Sequence, residues 1–283
     1  MSDFYQNGII TNLHNLRVQD TESLEKELLA FSKVRPMGLV LPSLYSELLS
    51  PALGNIVKEL KDVKYLHQIV IGLDRATKYE YRDALNYFSK LPQEHVVLWN
   101  DGPRLKALDK KLQKLKLAPQ EMGKGRNVWY CFGYLLATNQ VESVALHDCD
   151  IVTYTRDLLA RLIYPVANPN FNYQFCKGYY SRVSKDKING RVCRLLVTPL
   201  IRSLMKIFPA NDYLEYLNSY RYALSGEFSL RTEVLNDIRI PSDWGLEIGV
   251  LSEMNRNYAN NRICQVDIAD KYDHKHQELS EAD

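Results

Sequence analysis

Disulfide pairing, secretion and membrane insertion all leave marks that this chain does not carry. Its five cysteines (Cys131, Cys149, Cys176, Cys193, Cys264) are odd in number, widely spaced and never form a C-x-x-C pair. That pattern argues against a disulfide frame or a zinc site and implies reduced thiols in a cytosolic protein. The opening MSDFYQNGIITNLHNL has no basic stretch followed by an apolar one, so no secretory signal is expected. No apolar run approaches the roughly 18 residues of a membrane helix. A surplus of one charge is missing too: 36 basic and 34 acidic residues leave a net charge of +2, which argues against a nucleic-acid partner. The expectation is a soluble, cytoplasmic protein with neither membrane nor nucleic acid as partner.

What is present is an ordinary globular composition, 46% hydrophobic and 25% charged over 283 residues. That is enough chain to bury a full core. After a polar lead-in (1–35, with a helix predicted over 21–32), short apolar runs alternate with helical periodicity. Strands are expected at 37–41, 69–73 and 96–99, with helices at 46–61, 78–89 and 105–115 between and after them. Strands separated by helices of that length indicate βαβ units and a parallel sheet. Pro42-Ser43, Asp74-Arg75 and Asn100-Asp101-Gly102 close the three strands in polar or turn residues, all at the edge where open α/β sheets bind ligands.

The next strand is the most informative. Val144-Ala145-Leu146 runs into His147-Asp148-Cys149-Asp150, so a buried segment delivers two carboxylates one residue apart. Carboxylates that close repel unless a cation sits between them, and hard divalent ions prefer oxygen ligands. An Asp-X-Asp that merely caps a helix or pairs on the surface is the plainer alternative. Cys149 reads as a small core residue, and His147 as core or support. Upstream, Gly123-Lys124-Gly125 opens a helix predicted over 127–138. Backbone N–H groups and a cation at a helix start suit a phosphate, although a glycine-bounded turn would look the same. No Walker A loop is present.

Beyond Asp150 the pattern becomes mixed. A helix is expected at 156–162, a strand at 173–183, a helix at 191–207 broken or kinked by Pro199, helices at 212–217 and 245–256, and a last strand at 262–268. No repeat or linker interrupts the chain. The fold class is therefore α/β, with a Rossmann-like half over 36–152 and a mixed α+β half over 153–283, built around one central sheet.

In this order the pieces resemble the GT-A glycosyltransferases, and among them the glucosyl-3-phosphoglycerate synthase group, related to mannosyl-3-phosphoglycerate synthases. The resemblance spans about residues 40–277. It rests on Leu41-Pro42-Ser43-Leu44, Gly123-Lys124-Gly125, Asp148-Cys149-Asp150, Gly190-Arg191-Val192, Ser225-Gly226-Glu227-Phe228, Gly245-Leu246-Glu247-Ile248-Gly249 and the end containing His274. It implies a metal-dependent retaining transfer of glucose from a nucleotide sugar, UDP-glucose favoured, to the 2-hydroxyl of 3-phosphoglycerate, in a homodimer. Pro42, Ser43, Leu44 and Asp74 would then line the nucleotide, and Lys124 would touch the diphosphate. Asp150, Asp148 and His274 would hold Mg²⁺ or Mn²⁺. Gly190, Arg191, Cys193 and His276 would hold the acceptor. Glu247 would hydrogen-bond the transferred sugar, with Leu224 and Gly226 shaping its pocket. Asp150, Glu247 and Lys124 form the expected catalytic set.

The departures are Tyr45-Ser46 in place of the usual Asn-Glu, Cys193 in place of Thr and His276 in place of Asn. Relatives also run longer past the final histidines. On the residues alone, Arg191 could equally make a salt bridge, and Glu247 could serve an internal hydrogen bond. Mannosyl-3-phosphoglycerate or glucosylglycerate synthesis, a catalytically weak binding protein of the same fold and a sugar nucleotidyltransferase are the competing functions. The last is disfavoured because residues 41–47 contain no glycine.

Overall fold

The computed structural model describes residues 8–14, 16, 19–119, 121–181, 183–184, 187–188 and 190–274. In chain order the elements are β1 (Thr11–Leu13), α1 (Thr21–Phe31), β2 (Met37–Leu44), α2 (Tyr45–Leu48), α3 (Pro51–Leu60), β3 (Leu66–Asp74), α4 (Lys78–Phe88), β4 (Glu94–Trp99), α5 (Pro103–Lys114) and α6 (Lys124–Thr138). They continue with β5 (Ser143–Leu146), α7 (Arg156–Ala167), β6 (Phe175–Tyr180), β7 (Val183–Ser184), β8 (Lys187–Ile188), α8 (Thr198–Ile207), α9 (Asp212–Asn218), β9 (Phe228–Arg231), α10 (Leu246–Asn257) and β10 (Ile263–Ala269).

One eight-stranded sheet runs through both halves in the order β1-β10-β6-β9-β5-β2-β3-β4. Its ladders are parallel except where β9 pairs antiparallel with β5 and β6. Alternation along the strands sorts the core into two layers. Leu39, Leu41, Ile69 and Ile71 pack with Leu24 and Leu28 of α1, Leu53 and Ile56 of α3, and Leu158 and Leu162 of α7. Val40, Val70, Val144 and Leu146 face the other way, against Val128 and Leu135 of α6, Tyr216 of α9 and Val250 of α10. The order in which strands are added across the sheet reverses at β2, which has β3 on one side and β5 on the other. The C-terminal ends of these strands open a crevice there.

Several expectations change in detail. The lead-in is not only helical, because β1 pairs in parallel with β10 through Thr11↔Cys264 to Leu13↔Val266. β2 runs through Pro42 to Leu44 against β3, beyond the expected stop. Its pairing with β5 ends at Val40, so the N–H that Pro42 lacks breaks no ladder on that side. The helix expected over 46–61 is two, since Ser50 caps a new start at Pro51. Helical winding is continuous over 191–207, and it changes beside Pro199: Val192–Val197 is wide and π-helical and Thr198–Ile207 is α-helical, which accommodates the N–H that the proline lacks. The strand expected over 173–183 divides into β6 and β7.

The start of α6 is positioned by close backbone approach. The Arg126 N–H donates to the Ser242 carbonyl at 2.9 Å. A Cβ on Gly125 would lie 1.9 Å from the Pro241 carbonyl oxygen, and one on Gly123 would lie 3.0 Å from that of Ser242. Gly125→Ala should therefore push segment 241–243 off α6 and cost about 2 kcal/mol, as overpacking does. Gly133, farther along the same helix, has nothing within 4 Å of an added Cβ. Gly133→Ala should gain up to about 1 kcal/mol from helix propensity. Urea unfolding of the two variants checks both signs.

Candidate active site

The crevice at the strand ends is a cavity of about 760 Å³. β2 contributes Pro42, Ser43 and Leu44 to its wall, β3 contributes Asp74, and α6 contributes Lys124 and Asn127. The turn after β5 contributes Asp148, Cys149 and Asp150. From the second half come Gly190, Arg191, Leu224, Gly226 and Glu247. Twelve of the residues singled out from sequence thus share one cavity.

Its chemistry is dominated by crowded carboxylates. The Lys124 ammonium lies 2.6 Å from Asp148 Oδ1 and 3.0 Å from Glu247 Oε1. Burial works against the charge on Lys124, but Asp148 and Glu247 outweigh it and hold its pKa above the usual lysine value. Gly226 completes this contact: a Cβ there would stand 2.3 Å from Asp148 Oδ2 and 3.0 Å from Lys124 Nζ. Among the described residues Asp150 has no such partner. Burial, then Asp148, Glu227 and Glu47, push its carboxyl up to about 7, against a smaller opposing pull from Lys124. A half-buried carboxyl facing other carboxylates is a donor set of hard oxygens, which fits a divalent cation.

The backbone of His274 bridges to Ile151, next to Asp150, so the C-terminal segment reaches the acidic turn. Among the described residues, no three His, Cys, Asp or Glu side chains already gather into a metal-ligand group. His276 lies outside the described residues. Cys193 is buried and does not line the cavity, unlike its neighbours Gly190 and Arg191. Tyr45 also stays out of the cavity, because its hydroxyl donates to Asp83 of α4 at 3.0 Å.

Two neighbours of the acidic pair behave as core groups. Burial drives the Cys149 thiol up and keeps it protonated, despite the Ser43 hydroxyl beside it. His147 is fully buried, its ring edge-on to Tyr154 at 5.4 Å, and burial pulls its pKa to about 3, so it is neutral.

Against known proteins, the chain is 50% identical over 279 residues to the glucosyl-3-phosphoglycerate synthase of Persephonella marina, covering 99% of this chain and 69% of that one. The chain belongs to the glucosyl-3-phosphoglycerate synthase family. The synthase of Methanococcoides burtonii is 42% identical over 281 residues, with 98% and 68% covered. No protein-family model matches. Among solved structures, glucosyl-3-phosphoglycerate synthase of Mycobacterium tuberculosis superposes with a TM-score of 0.67 at 21% identity, over 95% of this chain and 81% of that one. That structure holds Mn²⁺, UDP-glucose and phosphoglyceric acid, and another of the same enzyme holds Mg²⁺ and UDP. The fold is GT-A, and the family is one of glycosyltransferases.

In this member of the glucosyl-3-phosphoglycerate synthase family, several cavity residues carry no distinctive sequence signal. Glu47, Asn127, Tyr222, Asp243 and Trp244 also line the wall. Asn127 follows Lys124 by three residues on α6, and its side chain donates to the Gly72 carbonyl at 2.8 Å, tying that helix to β3. Glu227 and Lys177 are fully buried near the acidic turn. A charged residue inside an apolar strand pattern was the available clue for Lys177, and Glu227 belongs to the Ser225–Phe228 motif. Burial draws Lys177 down to about 8, with Glu247 and Glu227 opposing.

Removing the bridge between Asp148 and Glu247 tests the electrostatics of the ligand-free site. Lys124→Met should lower Tm by a few degrees, on the order of 1 kcal/mol, because the pair is partly open to solvent. Asp148→Asn in that background should restore part of the loss. Scanning calorimetry of the two single variants and the double variant reads this coupling; strictly additive losses would contradict it.

Proposed function

We propose that the protein transfers glucose from UDP-glucose to the 2-hydroxyl of 3-phosphoglycerate with retention at the anomeric carbon, using Mg²⁺ or Mn²⁺. The carrying observation is the single cavity that joins the β2 and β3 ends, Lys124, the Asp148–Asp150 turn, Arg191 and Glu247. Membership of the family and the ligands held by the Mycobacterium tuberculosis enzyme support the choice of donor, acceptor and metal. In this reading residues 36–152 form the nucleotide-sugar side and 153–283 the acceptor side, with 1–35 as lead-in.

Pro42, Ser43, Leu44 and Asp74 hold the nucleoside, and Lys124 turns toward the diphosphate. Asp150 and His274 hold the metal, with Asp148 beside them. A cation there supplies charge neutralisation for the departing diphosphate. Gly190 and Arg191 take the acceptor phosphate, where a guanidinium fork binds two oxygens at once. Glu247 accepts from sugar hydroxyls, with Leu224 and Gly226 shaping the space beside them.

The bond from C1 to the diphosphate oxygen breaks and the bond from C1 to the acceptor oxygen forms on the same face. The hydroxyl proton passes to the departing phosphate oxygen. Retaining glycosidases instead use a free carboxylate nucleophile. Here Glu247 is engaged with sugar hydroxyls, and Glu227 is fully buried and hydrogen-bonded to Ser225 and Tyr272, so neither offers a free one. A homodimer belongs to the same reading. Exposed Leu195, Leu196, Leu200, Ile207 and Phe208 on the π-helical stretch, α8 and the residue after it support it. Light scattering should then give twice the 32.8 kDa chain mass.

Purified protein incubated with UDP-glucose, Mn²⁺ and 3-phosphoglycerate should release UDP only when the acceptor is present, and the product should show an α-linkage by proton NMR. Asp150→Ala should lower kcat by about 100-fold or more. Arg191→Lys should raise KM for 3-phosphoglycerate by about tenfold with little change in kcat. A β-linked product, or full activity in Asp150→Ala, would overturn the reading.

A further inference from the structure

The C-terminal end of β10 leads into a short segment, 271–274, that is stitched onto the turn after Asp150. The Val152 N–H donates to the Asp273 carbonyl at 2.8 Å, the Asp273 N–H donates to Thr153 Oγ1 at 3.0 Å, and His274 bridges to Ile151. In the middle of this segment Tyr272 turns inward and is 3% exposed. Its ring stacks on Tyr180 of β6 at 3.5 Å and 8°, and it meets the His274 ring edge-on at 6.4 Å. Its hydroxyl donates to Glu227 Oε1 at 2.7 Å.

Glu227 is wholly buried, and its other oxygen accepts from the Ser225 hydroxyl at 3.1 Å. The residue before it, Gly226, is the glycine packed against Asp148 and Lys124. Contacts therefore close a ring: Asp148 to Gly226, Glu227 to Tyr272, His274 to Ile151, and back to Asp150. A carboxylate with no exposure is costly unless each oxygen is engaged, so this one strongly constrains what lies around it. Burial, then Asp148, raise the Glu227 carboxyl, while the Tyr272 hydroxyl and Lys124 draw it back.

We propose that Glu227 and Tyr272 form a buried latch that sets the segment bearing His274 against the Asp148–Asp150 turn, which makes both of them positioning residues for the cation site. The inference rests on the reading of His274 as a metal ligand given above. Hydrogen bonds that orient ligands from behind typically govern metal affinity by about 10–100-fold.

Tyr272→Phe removes the hydroxyl while keeping the ring that stacks on Tyr180. Free Mn²⁺, measured by electron paramagnetic resonance over the protein with UDP, should show affinity weakened about tenfold in this variant. Excess Mn²⁺ should restore turnover, and amide exchange at 271–274 should quicken. His274→Ala, measured in parallel, separates the latch from the reading beneath it. If His274→Ala weakens Mn²⁺ binding and Tyr272→Phe does not, the latch is overturned and the metal reading stands. If His274→Ala leaves Mn²⁺ binding unchanged, the metal reading fails. The latch is then decided by exchange alone: faster exchange at 271–274 in Tyr272→Phe supports it, and unchanged exchange overturns it.

Discussion

Mutual repulsion among carboxylates at the end of β5 is the constraint around which the molecule is arranged. Asp150 feels Asp148, Glu227 and Glu47, and Glu227 feels Asp148, across a site that is only partly open to water. Lys124 relieves part of that repulsion by standing between Asp148 and Glu247. A lysine at the first position of a helix faces the positive end of the helix dipole, so it is those two carboxylates that make the placement favourable. Asp150 has no ion pair among the described residues, and burial raises its carboxyl against a smaller pull from Lys124.

Bringing Lys124 to that point imposes steric demands on distant parts of the chain. α6 must start against segment 241–243, which is why its N-cap and its second residue are glycines and why Arg126 bonds to Ser242. Gly-Lys-Gly resembles a phosphate loop in sequence, yet its glycines serve helix packing, and the lysine between them carries the charge. The same segment leads into α10, which bears Glu247. The Lys124 side and the Glu247 side of the cavity are thus mechanically one unit.

The alternating first half was readable because its strands are buried and its helices amphipathic, so each strand from β2 to β5 announces itself by local pattern. Most of the cavity residues were readable too, because they end those strands or follow glycines. β1 was not, since three partly buried residues become a strand only by pairing with β10, some 250 positions away. The continuation of β2 through Pro42 was hidden for a related reason: whether a missing N–H matters depends on which neighbouring strand is there to bond it. Cys193 shows the opposite failure. It stands beside Arg191 in the sequence, yet the local helical winding turns it into the interior.

The sequence by itself determined the α/β class, the acidic turn after β5, the lysine at the head of α6 and the residues that mark the family. All of these are local patterns whose period or composition is visible in a single segment. Tertiary structure alone decided that Lys124 is shared between Asp148 and Glu247, that β9 enters the sheet antiparallel beside β5, and that Tyr272 fastens the last segment to Glu227. Those facts follow from burial, which makes charge pairing obligatory, and burial is a property of the assembled layers that no stretch of sequence holds alone.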